Sequence, residues 1–247
     1  MIEKKNVHLQ TQTNYAYRQI FMYIIILAKG LFPTKRLPLT LLSVADSVVC
    51  CDGAIKNYYR WWKKAECSKA RQVAVVGDGD SLDAAVLVEA RRVGLDVIRK
   101  VVSEQESNDL SKALHYAVGQ AHLKPSDSDL CVDILGATGL REDHTVGNIS
   151  LLAYYATEFP DIEFRMVSDY GVFHPVLGQR SFDSHRGEQV SIFSLTPDIP
   201  VSVSGLRCPI ENRCLNWLWE GTLNESLGDR FEVSGGTLVV YQKCFEK

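Results

Sequence analysis

The sequence has no long apolar run, no paired-cysteine motif and little net charge. Its longest uninterrupted apolar stretch, residues 20–28, has nine residues, whereas a membrane-spanning helix needs about 20. The first 19 residues are polar and no small-residue cleavage pattern follows the apolar run, so we expect no secretory signal. The 27 basic and 30 acidic residues give a net charge of −3, which predicts no broad basic surface for nucleic acid or for a membrane.

Seven cysteines are present, an odd number, and no two of them form a Cys-x-x-Cys pair. No histidine lies at zinc-finger spacing from them. Cys50, Cys51 and Cys131 lie in apolar runs, where a free cysteine behaves as a small hydrophobic residue. These features predict buried thiols and a protein of the reducing cytoplasm.

The first two-thirds of the chain alternates short apolar runs with longer segments of helical period. The apolar runs predict strands at 22–27, 47–51, 73–76, 96–102, 130–135 and 162–167. The segments between them predict helices at 35–44, 54–65, 83–93, 109–122 and 148–159. Strands that alternate with helices imply a mostly parallel sheet with crossover helices, so the fold class is α/β.

The pattern changes after about residue 170. Short strands are predicted at 189–195, 201–205, 231–233 and 237–241, with turn signals at 196–198 and 234–236. No long helix is predicted there. We therefore expect a polar N-terminal extension (1–18), an α/β domain (19–170) and a small antiparallel β-sandwich (171–247).

Acidic residues and glycines follow four consecutive predicted strands. They lie at 52–53, 77–81, 105–109 and 136–144. The carboxyl ends of parallel strands form the usual ligand site of an open α/β sheet. Several carboxylates at one edge repel each other unless a cation lies among them, so this edge is predicted to hold a divalent cation.

The residue types indicate the chemistry. Asp78 and Asp80 lie two apart in a glycine-flanked loop and can both turn toward one ion. Mg²⁺ prefers such oxygen ligands and shares them with substrate phosphates. Asp109 begins a helix, and Arg141 and His144 can offset phosphate charge. The edge therefore predicts metal-assisted chemistry on a phosphate compound.

Each of these features also has an ordinary structural interpretation. Asp52-Gly53 alone is a common turn, Asp109 alone is a helix cap, and Arg141 alone is a surface charge. The coincidence of such residues at four strand ends is what favours a site.

The same segments resemble, in order, the motifs of the thiamine pyrophosphokinase family. Residues 51–54 are similar to its Asp-Gly-Gly step and 77–81 to its Gly-Asp-Phe-Asp-Ser motif. Residues 105–113 resemble Gln-x-x-Thr-Asp-x-x-Lys-Ala, and 135–148 resemble Gly-Ala-x-Gly-Gly-Arg-x-Asp-His-Thr-x-x-Asn. In the C-terminal part, comparable strand and loop motifs fall at 193–195, 204–207 and 222–225. The resemblance covers residues 23–241.

The resemblance implies an ATP-dependent, Mg²⁺-assisted transfer of a diphosphate group to the hydroxyl of thiamine, giving thiamine diphosphate and AMP. It also implies that 19–170 is the catalytic and nucleotide-binding domain and that 171–247 is the thiamine-binding domain. A homodimer with the substrate pocket at the subunit interface is implied as well. By motif match, Asp78, Asp80 and Asp109 would hold Mg²⁺ and Asp52 would shape the acidic pocket, with one of these carboxylates assisting loss of the hydroxyl proton. The other residues carried over are Ser81, Lys112, Arg141, Asp143 and His144 for the nucleotide and Gln105, Ser194 and Asn224 for thiamine.

Five positions depart from the family pattern. They are Ala54 for the second Gly of the first motif, Gly79 for Phe, Asn108 for Thr, Leu140 for Gly, and Cys208 where some members have an aromatic residue against thiamine. Trp217 or Trp219 is able to supply that aromatic ring, although burial as structural tryptophans is the expectation. No motif carboxylate is lost, so we expect a working enzyme.

Two other functions are compatible with the sequence. A metal-dependent nucleotide phosphohydrolase would use clustered aspartates at strand ends in the same way. A thiamine- or nucleotide-binding module without catalysis would be consistent with the departures at Leu140 and Cys208. Release of AMP from ATP in the absence of thiamine would indicate the hydrolase, and ligand binding without product would indicate the module.

Overall fold

The structure is a computed structural model that describes residues 22–65, 72–79, 84–92, 94–101, 107–122 and 130–244. Within these ranges, the residues up to 148 form one compact unit together with 161–163. Residues 149–160 and 164–244 form a second one. We name them the N-terminal unit and the C-terminal unit.

The N-terminal unit is built on a five-stranded parallel sheet. Its strands are β1 (Met22–Leu27), β2 (Ser47–Cys51), β3 (Gln72–Gly77), β4 (Asp96–Val101) and β5 (Leu130–Leu135). Its helices are α1 (Arg36–Val44), α2 (Ile55–Lys64), α3 (Ala84–Arg92) and α4 (Asp109–His122), and α5 (Glu142–Glu158) continues into the C-terminal unit. All of these strands were predicted, and they are rich in Val, Ile and Cys because such strands are buried on both faces.

The strand order β5-β1-β2-β3-β4 creates a switch point between β1 and β5. The chain adds β2, β3 and β4 on one side of β1 and then returns to add β5 on the other side. Leu27 pairs with both Cys50 and Leu135, Cys51 pairs with Val76, and Gly77 pairs with Val101. The carboxyl ends of all five strands therefore meet at one edge, where ligands of this fold class bind.

Helix α4 carries a predicted site residue to that edge because of how it begins and packs. The Asn108 side chain accepts a hydrogen bond from the Ser111 backbone N–H at 2.9 Å, which caps the first turn. The apolar face packs on β1, β2 and β3. Its buried residues are Leu110, Ala113, Leu114, Ala117 and Val118. The cap and this face together fix Asp109, the first helical residue, close to the strand ends.

Gly119 in α4 offers a test of this helix. A β-carbon at Gly119 would meet nothing within 4 Å, and glycine is a poor helix former. Gly119→Ala is expected to raise the free energy of unfolding by about 0.5–1 kcal/mol, measured by urea denaturation. A loss of stability would contradict the helix packing described above.

Helix α5 begins earlier than predicted, at Glu142 rather than at residue 148. Asp143 and His144 therefore lie in its first turn and not in a loop. The first turns are polar and exposed, so they carry no apolar periodicity. Glu142 and Asp143 suit this position because acidic side chains are stabilised at a helix N-terminus.

The C-terminal unit is antiparallel. Its strands are β6 (Glu163–Val167), β7 (Gly171–Asp183), β8 (Gln189–Ser194), β9 (Val201–Ser204), β10 (Ile210–Arg213), β11 (Asn224–Glu225) and β12 (Arg230–Lys243). Strand β12 pairs with β7 along its length, with β9 through residues 232–234 and with β8 through residues 238–242. The long β7–β12 pair is thus extended by β9 at one end and by β8 at the other, and the strands enclose one apolar core. The α/β fold class with an antiparallel C-terminal part is confirmed.

This unit differs from the prediction in β12, in β7 and in the short strands β10 and β11, which were not predicted. The segments 231–233 and 237–241 belong to one strand, β12, with a register shift between Ser234 and Thr237. Gly235-Gly236 is not a turn, since both residues lie inside β12. A β-carbon at Gly236 would clash with Thr196 Oγ1. Strand β7 was missed since it contains Pro175 and Gly178, which are typical of breaks.

The predicted burial of thiols and tryptophans is only partly confirmed. Cys50, Cys51 and Cys131 are buried, but Cys208 is exposed. The prediction of buried tryptophans is wrong, since Trp217 and Trp219 are about 70% exposed (70% and 72%) in turns between β10 and β11. No helix of the described residues is long and apolar enough to cross a membrane.

Candidate active site

Gly77, the last residue of β3, brings two predicted site residues together. A β-carbon built on Gly77 would lie 2.8 Å from Asp52 Cβ and 3.3 Å from Asp109 Oδ1. Asp52 follows β2, and Asp109 begins α4. Two carboxylates that are distant in sequence therefore pack against the same backbone atom, and only glycine leaves them room.

Asp52 is held in an unusual conformation. It is 1% exposed and has φ of 38°, in the left-handed region. This region costs a residue with a β-carbon about 1–2 kcal/mol. Asp52 opens a short 3-10 turn, Asp52–Ala54, that leads into α2. The fold thus bears a local cost that keeps a carboxylate buried at the edge of the sheet.

The charges around Asp109 show that the acidic residues are close. Burial raises the pKa of Asp109, and the negative charges of Asp78 and Asp52 raise it further. Lys112 and Lys29 act in the opposite direction on this pKa. Burial also raises the pKa of the Cys51 thiol, to which Cys50, Asp109 and Asp52 add. The edge of the sheet therefore concentrates negative charge in a partly buried site.

This charge pattern fits a hard cation. Neighbouring carboxylates repel each other, a cation between them relieves this repulsion, and Mg²⁺ prefers oxygen ligands. Within the described ranges, no three His, Cys, Asp or Glu side chains are grouped closely enough to hold a metal ion. Asp80, the third predicted ligand, lies outside the described residues. Of the three predicted metal ligands, the described residues include Asp78 and Asp109.

The loops after β1 and β5 lie side by side at the switch point. The Gly30 N–H donates to the Gly136 carbonyl at 2.7 Å, and the Leu31 N–H donates to the Thr138 carbonyl at 3.0 Å. The Asn148 amide donates to the Ala137 carbonyl at 2.8 Å. This fixes the loop after β5 to α5, and Arg141 is the last residue of that loop before α5 begins.

Arg141 and Asp143 form an exposed ion pair next to this loop. The Arg141 Nε donates to Asp143 Oδ1 at 3.1 Å, and Nη2 donates to Oδ2 at 2.5 Å. Their hydrogen bond raises the pKa of Arg141 and lowers the pKa of Asp143. His144 follows, exposed, in the first turn of α5. A guanidinium on the surface at this position is accessible to an anionic ligand.

Leu140, which stands where the family has glycine, adopts a glycine-like conformation. Its φ is 68°, and its side chain is 71% exposed. Leu140→Gly is expected to raise the free energy of unfolding by about 0.5–1 kcal/mol, since it relieves the strain and loses little burial. Urea denaturation measures this. Val88→Gly, at an exposed helical position, is the control and should destabilise; a loss of stability in Leu140→Gly would contradict the strain.

The other predicted site residues are placed as follows. Lys112 is buried in the first turn of α4. In the C-terminal unit, the Asn224 side chain accepts from the Cys208 N–H at 3.0 Å and donates to the Cys208 carbonyl at 2.7 Å. Ser194 is buried, and its hydroxyl has no hydrogen-bond partner among the described residues. Ser81 and Gln105, like Asp80, lie outside the described residues.

Lys29 near Asp109 was missed by sequence reasoning. It directly follows the first residue after β1, so the rule that polar residues at strand ends form the site would have found it if applied to the first strand. The omission arose because its segment, Ala28-Lys29-Gly30, carries no acidic residue.

Comparison with known proteins agrees with the motifs. The family model described as "Thiamin pyrophosphokinase, catalytic domain" matches residues 39–164, and "Thiamin pyrophosphokinase, substrate-binding domain" matches residues 171–241. The chain belongs to the thiamin pyrophosphokinase family. It carries the catalytic domain of a thiamine diphosphokinase, an enzyme that forms thiamine diphosphate.

Solved structures of thiamin pyrophosphokinases share the fold. The enzyme from Candida albicans is 18% identical with a TM-score of 0.74, and the match covers 91% of this chain and 89% of that one. The yeast enzyme is 14% identical with a TM-score of 0.72, covering 91% and 86%. The Bacillus subtilis enzyme is 21% identical with a TM-score of 0.69, covering 91% and 100%. No curated protein matches the sequence.

Proposed function

We propose that this chain transfers a diphosphate group from ATP to the hydroxyl of thiamine, releasing AMP, with Mg²⁺ as cofactor. The observation that carries the proposal is the packing of Asp52 and Asp109 on Gly77, with Asp78 close enough to affect the pKa of Asp109. Membership of the thiamin pyrophosphokinase family supports the choice of thiamine as acceptor.

Two groups of residues would act in this reaction: one would hold the metal ion and the other would hold the phosphates. Asp78, Asp80 and Asp109 would hold Mg²⁺, which neutralises phosphate charge when bound. Lys112 and Lys29, whose positive charges lower the pKa of Asp109, would bind phosphate oxygens. Fixed charges of this kind stabilise the charge that develops during phosphoryl transfer and position the two substrates in line.

The remaining motif residues are assigned by the family resemblance. Ser81, Arg141, Asp143 and His144 would contact the nucleotide, and Gln105, Ser194 and Asn224 would form the thiamine side. Asn224 would act by fixing the backbone of Cys208, because its side-chain amide is hydrogen-bonded to both the N–H and the carbonyl of Cys208. The Ser194 hydroxyl would bind thiamine directly.

The proposal includes a homodimer and a cytoplasmic location. Four large apolar side chains within residues 217–223 are exposed, which supports a subunit interface in the C-terminal unit. They are Trp217, Leu218, Trp219 and Leu223. Sedimentation of the purified protein at several concentrations would test the dimer.

The reaction is tested by supplying ATP and Mg²⁺ with and without thiamine, followed by mass spectrometry. We expect thiamine to gain the mass of a diphosphate group and AMP to appear only when thiamine is present. Equal release of AMP in both arms would instead establish a nucleotide phosphohydrolase. Binding of thiamine and ATP without any product would establish a binding module.

A further inference from the structure

Arg99 fills the space that a side chain at position 79 would occupy. Gly79 has φ of +92°, and a β-carbon built on it would lie 2.7 Å from Arg99 Nη2 and 3.8 Å from Arg99 Cζ. The family resemblance places a phenylalanine at this position. In this chain, the space beside Gly79 is therefore occupied by a guanidinium from β4 and not by an aromatic ring at position 79.

The register of the sheet directs Arg99 toward the acidic residues. Val75 pairs with Arg99 and Gly77 pairs with Val101 in the parallel β3–β4 pair. Side chains two apart on a strand share a face, and paired residues lie on the same face. Arg99 therefore emerges on the face of Gly77, which is the face against which Asp52 and Asp109 pack.

The guanidinium is available to a ligand. Arg99 is exposed, and no described residue forms an ion pair with it. A guanidinium presents five N–H donors in a planar fork that matches two oxygens of a phosphate group. The Arg99 guanidinium and a metal ion at Asp78 would repel each other if no anion lay between them. Phosphate groups bound to that ion would instead attract the guanidinium.

We propose that Arg99 is a nucleotide-binding residue of this chain that contacts the polyphosphate of ATP beside the Asp78 loop. This rests on the proposed function, and it adds to the motif a residue that replaces the usual aromatic side chain. The ligand is recognised as a polyphosphate because Arg99 presents a charged fork beside the loop of Asp78, a proposed metal ligand.

Titration of ATP into the thiamine-free protein with Mg²⁺, followed by calorimetry, tests the assignment. Arg99→Gln is expected to weaken ATP binding by about 10-fold or more, and to weaken AMP binding much less. Arg99→Lys should restore part of the affinity because it keeps the charge without the fork. Lys100→Gln is the matched control, since it removes a positive charge from the next residue of β4, which faces the other side of the sheet.

Steady-state kinetics supply a second measurement. Arg99→Gln should raise KM for ATP by a similar factor with a smaller change in KM for thiamine. If wild type and Arg99→Gln bind ATP equally, or if Lys100→Gln weakens binding as much, the role of Arg99 is overturned while the proposed function stands. If wild type itself does not bind ATP, both fail. Near-ultraviolet circular dichroism confirms that each variant is folded.

Discussion

Replacing Asp109 with asparagine is expected to lower kcat by about 10³-fold while leaving the fold intact. Asp109 is the residue on which the other charges of the site converge, since Asp78, Asp52, Lys112 and Lys29 all affect its pKa. The asparagine keeps the shape and removes the charge that would hold the metal ion. The measurement is the rate of thiamine diphosphate formation at saturating ATP and Mg²⁺.

The same substitution is expected to leave the melting temperature unchanged or to raise it. A carboxyl group whose pKa is raised in the folded state destabilises that state above this pKa, and the penalty is relieved as the pH falls through it. The variant lacks this pH dependence. Asp161→Asn, at an exposed turn of the same unit, is the control and should retain full activity. Full activity in Asp109→Asn would refute the assignment.

Gly77→Ala is expected to reduce activity by about 100-fold and stability by about 2 kcal/mol. The new methyl group would lie 2.8 Å from Asp52 Cβ and 3.3 Å from Asp109 Oδ1. Because Gly77 is buried at the end of β3, the carboxylates have to move. Activity assays and urea denaturation measure the two effects.

Gly119→Ala is the matched control for Gly77→Ala, since its added methyl group meets nothing within 4 Å. It should retain full activity and gain stability. If Gly77→Ala is as active as wild type, the proximity of Asp52 and Asp109 has no role in the reaction. If it loses stability but keeps its activity, the contact is structural only.

The parallel sheet could be predicted because its strands are buried on both faces. Such strands appear as continuous apolar runs, and β1, β2 and β5 have the predicted bounds. The antiparallel unit was harder to predict, since its long strands β7 and β12 contain glycines. Gly178 and Gly235-Gly236 indicate turns when only the sequence is considered, but in the structure they lie inside β7 and β12. Gly178 adopts a φ of +77°, and Gly235-Gly236 packs closely against Val201 and Thr196.

The candidate site could be predicted in part. Asp52, Asp78 and Asp109 were found because each follows a strand or begins a helix at one edge of the sheet. Arg99 could not be found in this way, since its approach to Gly79 depends on the register of β3 against β4. The positive φ of Leu140 could not be predicted either, because no feature of the neighbouring sequence indicates this conformation for a leucine.

The most direct test is to measure whether the acidic edge binds a divalent cation together with a nucleotide. Mn²⁺ can replace Mg²⁺, and electron paramagnetic resonance reports its protein-bound fraction in the presence of a non-hydrolysable ATP analogue. We predict that wild type and Asp161→Asn bind the ion–nucleotide complex equally, and that Asp109→Asn binds it at least about 10-fold more weakly. Equal binding by all three proteins would contradict a metal site at this edge.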